Sequence, residues 1–351
     1  METVWVGMSG GVDSSVAALL LKKQGYRVVG VTLKLRSLLS NGNREAMDRD
    51  VQDARKVCEV LGIEHRVYDF SKTFCDIVVE NYVTQYRSGK TPNPCIVCNR
   101  TVKFGLLLET ALENGADKIA SGHYADCYYN KELDRWQLRH TGSSKDQTYV
   151  LYGLSQHQLS HILFPLSGMS KDQVRKLAEE NHLPIAHKAD SMEACFVPAA
   201  GHMAFIEEYT GKKSVPGDFV SEQGDFLGKH QGIGKYTIGQ RKGLGVTFGK
   251  PMYVIGIDAE NHRVVLGEEG KQMASELTAC DVNYLSILKP SEPIRVEAKI
   301  RYQAAPAPAT MYPLDDDCIR IVFDSPQRSV TPGQAVVLYD GNVLLGGGTI
   351  Q

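Results

Sequence analysis

The chain has 351 residues, 42% of them apolar, and sets 39 Lys plus Arg against 41 Asp plus Glu. That is more chain than one ordinary hydrophobic core accommodates, so two or three domains are expected, each able to fold without cross-links. The balanced charge excludes polycationic binding of nucleic acid, leaving only a local patch for that purpose, and eight cysteines are spaced too thinly for a small disulfide scaffold.

The start, "METVWVGMSGGVDSS", has neither a charged lead nor a long apolar run, and no later stretch approaches the roughly 18 apolar residues of a membrane helix. A cytoplasmic protein with no membrane partner is expected, its thiols reduced and mostly buried. In chain order, "VWVGM" (4–8) reads as a buried strand, "SSVAALLLKKQG" (14–25) as a helix ended by Gly25, and "RVVGVTLKL" (27–35) as the next strand. "DRDVQDARKVCEVLG" (48–62) carries Val51, Ala54, Val57, Cys58 and Leu61 at helical spacing. A strand "EHRVYDF" (64–70), helices "FCDIVVENYVTQY" (74–86) and "VKFGLLLETALENG" (102–115), and a strand "DKIASG" (117–122) follow. About four strands alternating with helices predict a parallel α/β sheet.

Past residue 200 helical periodicity gives way to glycine. Residues 236–267 read as short strands joined by turns. "EPIRVEAKIRY", "IRIVFD" and "QAVVLYDGNVLLGGGTI" alternate with period two, and Asp340–Gly341 is a hairpin signal, so a small β-barrel is expected at the end. Residues 226–257 lack Asp and Glu but hold Lys229, Lys235, Arg241, Lys242 and Lys250, a candidate phosphate-tracking patch.

Two motifs carry chemistry. "SGGVDSS" (9–15) lies where a strand hands over to a helix: glycines admit a phosphate close to the backbone, and helix N–H groups with the Ser9, Ser14 and Ser15 hydroxyls supply donors. It is neither a Walker A loop nor Gly-x-Gly-x-x-Gly. "TPNPCIVCNR" (91–100) places Cys-x-x-Cys in a proline-rich loop, where the pair could hold a metal, exchange electrons, attack a substrate or simply pack. With no second Cys-x-x-Cys, a zinc site is weakly supported.

The residues 9–15 resemble the PP-loop of the ATP pyrophosphatase superfamily. "NPCIVCN" (93–99) resembles the nucleophile loop of the tRNA-specific 2-thiouridylase family, and "KDQTYVL" (145–151), "DSMEACF" (190–196), "YTIGQRKGLG" (236–245), "KIRY" (299–302) and "VTPGQAVVLYDG" (330–341) have counterparts in order. The resemblance spans nearly the whole chain. It implies a PP-loop α/β catalytic domain (1–203), a small mostly-β linking domain (204–272) and a C-terminal β-barrel (273–351) that docks the anticodon arm of tRNA.

By that resemblance ATP, with Mg²⁺, would sit on Gly7, Met8, Ser9, Gly10, Gly11, Val12, Asp13, Ser14 and Ser15, with Leu33 at the adenine and Gly122 in the same crevice. Asp13 would lie near the phosphates and their Mg²⁺. Asn93, Pro94, Cys95, His123, Lys145, Asp146, Gln147, Arg301, Tyr302 and Gln334 would contact tRNA. The implied reaction places sulfur on C2 of the wobble uridine. C2 is a poor electrophile, so its oxygen is first adenylated, and the sulfur arrives as a persulfide, a soft and largely ionised nucleophile. Cys195 would carry the persulfide, received from an upstream donor such as a cysteine desulfurase or a sulfur relay. Cys98 would be the partner thiol, the two ending as a disulfide. In one branch of the family the position of Cys95 is an aspartate proposed as acid/base. Cysteine there permits a rival: Cys95, Cys98 and Cys195 as ligands of a [4Fe-4S] cluster with one iron open to sulfur. The other cysteines, Cys58, Cys75, Cys127, Cys280 and Cys318, read as buried thiols. Two readings of other classes stay open, a PP-loop amidotransferase on a small substrate and a non-catalytic RNA-binding protein.

Overall fold

The computed structural model describes residues 1–143, 145–189, 194–247, 249–315 and 317–351. Residues 190–193 of the "DSMEACF" motif and Phe248 of the glycine-rich stretch lie outside the described residues.

A parallel sheet is built from Glu64–Asp69, Arg27–Lys34, Thr3–Gly7, Lys118–Ala120 and the short Ile162–Leu163, in that spatial order. Its inner strands are near-continuous apolar runs because both faces are covered. One face buries Val4, Val6, Val16, Leu21, Val57 and Leu61 under the helices Val12–Lys23 and Asn41–Leu61. The latter helix starts about two turns before the expected one: its first residues are polar, but Met47 adds a buried contact there. The strand order reverses direction at Thr3–Gly7, so a crevice opens at the carboxyl ends between Gly7 and Ala120.

Cys-x-x-Cys does not lie in a loop. Pro94–Cys98 is a short helix: Asn93 caps it by accepting the Cys95 N–H at 3.2 Å, and Pro94 occupies its first turn, where a missing N–H costs nothing. The helix continues through a wide π turn, Asn99–Leu106, into Leu107–Glu113. Other elements the periodicity did not announce are the helices Lys171–Glu180 and His202–Thr210 and the hairpin Asp126–Asn130/Arg135–Arg139.

Gly217–Val220, Phe226–His230, Tyr253–Asp258 and Arg263–Gly267 form a four-stranded sheet over a core that includes Phe219, Tyr236, Val254 and Leu266. The six strands from Met273–Tyr284 to Val343–Ile350 close into a barrel, first pairing with last. The expected Asp340–Gly341 turn is present, with Gly341 at φ +55°. The barrel sheet is extended by the hairpin, which pairs Leu138 with Leu344, and Tyr339 and Val337 share a core with Trp5 and Phe104. First and last segments are therefore packed as one body.

The buried-thiol expectation fails at Cys280 and Cys318, which form a disulfide. Ala279 and Ile319 are cross-strand partners, so the next pair outward faces across the ladder, a register invisible in either strand alone. Cys58 and Cys75 are buried, while Cys127 is only partly so.

Candidate active site

The phosphate turn is fixed by sterics. Gly10 adopts φ +70°, and a Cβ there would lie 2.4 Å from the Asp50 carbonyl oxygen. Gly11, the helix N-cap, has no side chain to occupy the first-turn N–H groups, which are left to an anion. Ser9 and Ser14 hydroxyls stand 3.2 Å apart, and those of Ser14 and Ser15 donate to the Gly11 carbonyl at 3.2 and 2.8 Å. Across the crevice, a Cβ on Gly122 would come within 2.6 Å of the Ser14 nitrogen.

These residues border an open cleft of about 250 Å³. Gly7, Met8, Ser9, Asp13 and Ser14 form one side, Val31, Leu33 and Leu35 an apolar wall, and Lys103, Phe104, Gly122, His123 and Gln147 the rest. Val12 and Ser15 are buried beneath it. Asp13 is not an open metal ligand: Lys171 Nζ donates to both its oxygens, at 2.8 and 3.0 Å, and the Tyr124 hydroxyl donates to one at 2.7 Å. His123 is held neutral, pushed down to about 3 by burial and then by the nearby Lys103 charge. Its Nδ1 lies 2.9 Å from the Ser121 hydroxyl.

The cleft adjoins the thiols. Cys98 is 5% exposed, in a core with Phe74, Tyr82, Val102 and Phe196. Phe196, next to Cys195, meets Phe74, Tyr82 and Phe205 edge-on at 5.6, 5.1 and 5.0 Å. That core seats the exposed Cys195 turn beside the Cys98 helix, and both sulfurs are free thiols. Burial pushes the Cys98 thiol up to about 12, against the pull of Lys103, with the charges of Cys195 and Cys95 adding to the rise. Although residue 195 is exposed overall, desolvation of its sulfur raises the Cys195 thiol as well, opposed by Lys103 and Arg36. Arg36 also donates to the Cys195 carbonyl at 2.8 Å and pairs with Asp50 at 2.7 Å. Lys188 links Asp50 and Asp53 to the Gly10 carbonyl, at 3.1, 2.7 and 3.0 Å. A chain of charges thus ties the phosphate turn to the Cys195 turn. Sequence reasoning missed Lys103, Arg36, Lys171 and Lys188; the one available signal was a lysine inside the apolar run after Cys-x-x-Cys.

Comparison with known proteins bears on this arrangement. Residues 2–199 match the family model described as a tRNA methyl transferase HUP domain, 203–268 its PRC-barrel domain, and 274–350 an aminomethyltransferase β-barrel domain. The chain is 51% identical to the tRNA-specific 2-thiouridylase MnmA of Acetivibrio thermocellus, covering 100% of this chain and 99% of that one. The chain belongs to the tRNA-specific 2-thiouridylase family. The Clostridioides difficile relative of the same description is 46% identical over 100% of this chain and 98% of its own. Among solved structures, a 4-thiouridine synthetase in complex with RNA and ATP is 18% identical, with a TM-score of 0.36 over 56% of this chain and 45% of that one.

For this thiouridylase family member the residues expected at tRNA divide. Asn93, Pro94, Cys95 and Gln334 line one open depression of about 350 Å³, with Tyr82, Ala194 and Val197. Gln334 donates to the Thr91 carbonyl at 2.7 Å, fastening the barrel to that loop. Tyr302 is exposed and donates to the Asp146 carbonyl at 3.1 Å; Arg301 beside it is also exposed. The Asp146 carboxylate is occupied by Thr141 and Thr148, and Lys145 sits in the same turn. Gln147 and His123 lie inside the nucleotide cleft. The acid-free stretch is not acid-free in space, since Asp218 pairs with Lys229 and Glu268 with Lys250. Lys235, Arg241 and Lys242 remain exposed.

The iron–sulfur expectation does not fit. Cys98 points into an aromatic core while Cys95 and Cys195 are exposed, and among the described residues no three His, Cys, Asp or Glu side chains converge to hold a metal. The donor set therefore does not suit a [4Fe-4S] cluster on Cys95, Cys98 and Cys195.

Proposed function

We propose that the protein is an ATP-dependent sulfurtransferase that converts the wobble uridine, position 34 of certain tRNAs, to 2-thiouridine. The observation that carries this reading is the shared wall: Lys103 lines the nucleotide cleft and its charge acts on Cys95, Cys98 and Cys195. Activation and sulfur delivery thus meet in one place. A flipped, single-stranded base suits the depression at Asn93, Pro94, Cys95 and Gln334.

In this mechanism O2 of the uridine attacks the α-phosphorus of ATP, pyrophosphate leaves, and AMP on O2 becomes a good leaving group. The outer sulfur of a Cys195 persulfide attacks C2 and AMP departs, giving a C2–S–S–Cys195 link. Cys98 then attacks the Cys195 sulfur, its proton ending on N3 of the base, the S–S bond breaks toward C2, and the base leaves as the thiocarbonyl. One sulfane sulfur is reduced while two thiols become the Cys98–Cys195 disulfide, so electrons balance. A dithiol reductant must first return the Cys98–Cys195 disulfide to two thiols, and a donor of the cysteine desulfurase or sulfur-relay class then reloads Cys195. Mg²⁺ would enter with ATP, because Asp13 already carries Lys171 and Tyr124. No helix among the described residues is long and apolar enough to cross a membrane, and a cytoplasmic site of action is part of the proposal.

The test is mass spectrometry of nucleosides from unmodified tRNA incubated with the protein, ATP, Mg²⁺, a thiol reductant and a sulfane-sulfur source, a cysteine desulfurase with cysteine. 2-Thiouridine that requires ATP supports the reading. Pyrophosphate release without thiolated nucleoside favours an amidotransferase, and neither product favours a non-catalytic RNA binder.

A further inference from the structure

Lys103 is left without a role by the motifs, yet its surroundings are unusual. It follows Cys98 by five residues across the π turn Asn99–Leu106. An i→i+5 winding brings such residues onto nearly one face, where an α-helix would turn them well apart, and such turns recur at functional sites. Gly105 marks the same winding: a Cβ there would sit 3.0 Å from the Arg100 carbonyl, five residues back. Lys103 lines the cleft together with Leu35 and Phe104. Among the described residues it is the cleft's one cationic side chain, since His123 is held neutral. No described carboxylate pairs with it, and the groups whose charges act on it are the Cys98, Cys95 and Cys195 thiols. Enclosed lysines without an anion tend to lose their proton. Here burial pulls in that direction, but the three thiols hold the ammonium above the ordinary lysine range.

We propose that Lys103 is a catalytic residue whose ammonium serves both half-reactions, first against the phosphates of ATP during adenylation, then against the sulfur anion on Cys195 as it attacks C2. The cation is delivered to two anions that form in turn, and no other charged group needs to move. The inference rests on the proposed sulfur transfer, but its test does not.

The full chain is compared as wild type, Lys103→Met and Lys103→Arg, with thermal unfolding to establish that each is folded. Iodoacetamide labelling, resolved by peptide across pH 6 to 10, reads Cys195 in the absence of ATP and tRNA. Cys195 is faced by Lys103, Arg36, Cys95 and Asp50, and only the first is changed. In Lys103→Met the Cys195 profile should move up by about one pH unit, with Lys103→Arg close to wild type. ATP binding, measured by calorimetry, should weaken at least about 10-fold in Lys103→Met and recover in Lys103→Arg. Single-turnover thiolation should fall about 100-fold, with tRNA affinity held within about threefold. A Cys195 profile unmoved by Lys103→Met, or ATP affinity unchanged, overturns the shared role even if activity is lost. If Lys103→Met does not fold, Lys103→Gln takes its place with the same expected shifts. A wild type that fails to thiolate would count against the parent reading, while the labelling and ATP measurements still decide Lys103.

Discussion

The phosphate turn is set by backbone sterics, residues 9–15 lying tight against the Asp50 and Gly122 backbone, whereas Cys98 and Cys195 are brought together by an aromatic core drawn from segments far apart in the chain. The first region has little room for substitution, because backbone there presses on backbone. The second is made of side chains, each replaceable at a graded cost, and its thiols are placed only when the whole core is intact. A nucleotide-binding motif is accordingly readable as one string of letters, whereas the meeting of two thiols far apart in the chain is made only by folding.

The sharpest way to separate the regions is to remove their chemistry one sulfur at a time. Cys98→Ala and Cys195→Ala should each abolish thiolation, measured by nucleoside mass spectrometry, while filter binding of tRNA stays within about threefold. Full activity in either would remove that thiol from the reaction. Next, Gly122→Ala drives a Cβ into the Ser14 nitrogen, and a displacement of that kind should cut ATP-dependent pyrophosphate release about 100-fold. Labelling of Cys98 should not change, because the aromatic core is untouched.

Phe196→Ala attacks the other region. Losing a ring that is 2% exposed should cost about 3 to 5 kcal/mol in urea unfolding, and the folded fraction should retain ATP binding better than it retains Cys98–Cys195 cross-linking. The smallest effect expected is with pH. Folded Cys58 and Cys98 are pushed up to about 11 and about 12, and Cys127 to about 12, by burial first. Thiols raised in this way favour the folded state fully below their unfolded value near 9. That contribution is lost as pH climbs through 9 toward 12. The melting temperature should hold between pH 7 and 8.5 and fall above 9, and a flat profile to pH 11 would contradict these burials.

The alternation of strand and helix in the first 122 residues, and the period-two strands of the barrel, were legible because each is written in local apolar spacing. The hairpin Asp126–Asn130/Arg135–Arg139 was not, because its partner Val343–Ile350 lies at the other end of the chain. The same reason hid the Cys280–Cys318 bond, which depends on register between strands. Asn93 and Pro94 did spell a helix start, but two prolines nearby favoured a loop reading. In the site, Gly10, Gly122 and the thiols could be named in advance. Lys103, Arg36 and Lys188 could not, since a charge inside an apolar run or a polar helix acquires meaning only from what folding sets opposite it.

The central claim is that an adenylated uridine and the sulfur on Cys195 meet beside Cys98. Protein loaded with ³⁴S at the outer persulfide position, mixed with tRNA and ATP for one turnover and then alkylated and digested, tests it most directly. The expected result is ³⁴S in the wobble nucleoside together with a disulfide-linked Cys98–Cys195 peptide pair in equal yield. Labelled nucleoside formed while Cys98 and Cys195 both remain alkylatable thiols would contradict it.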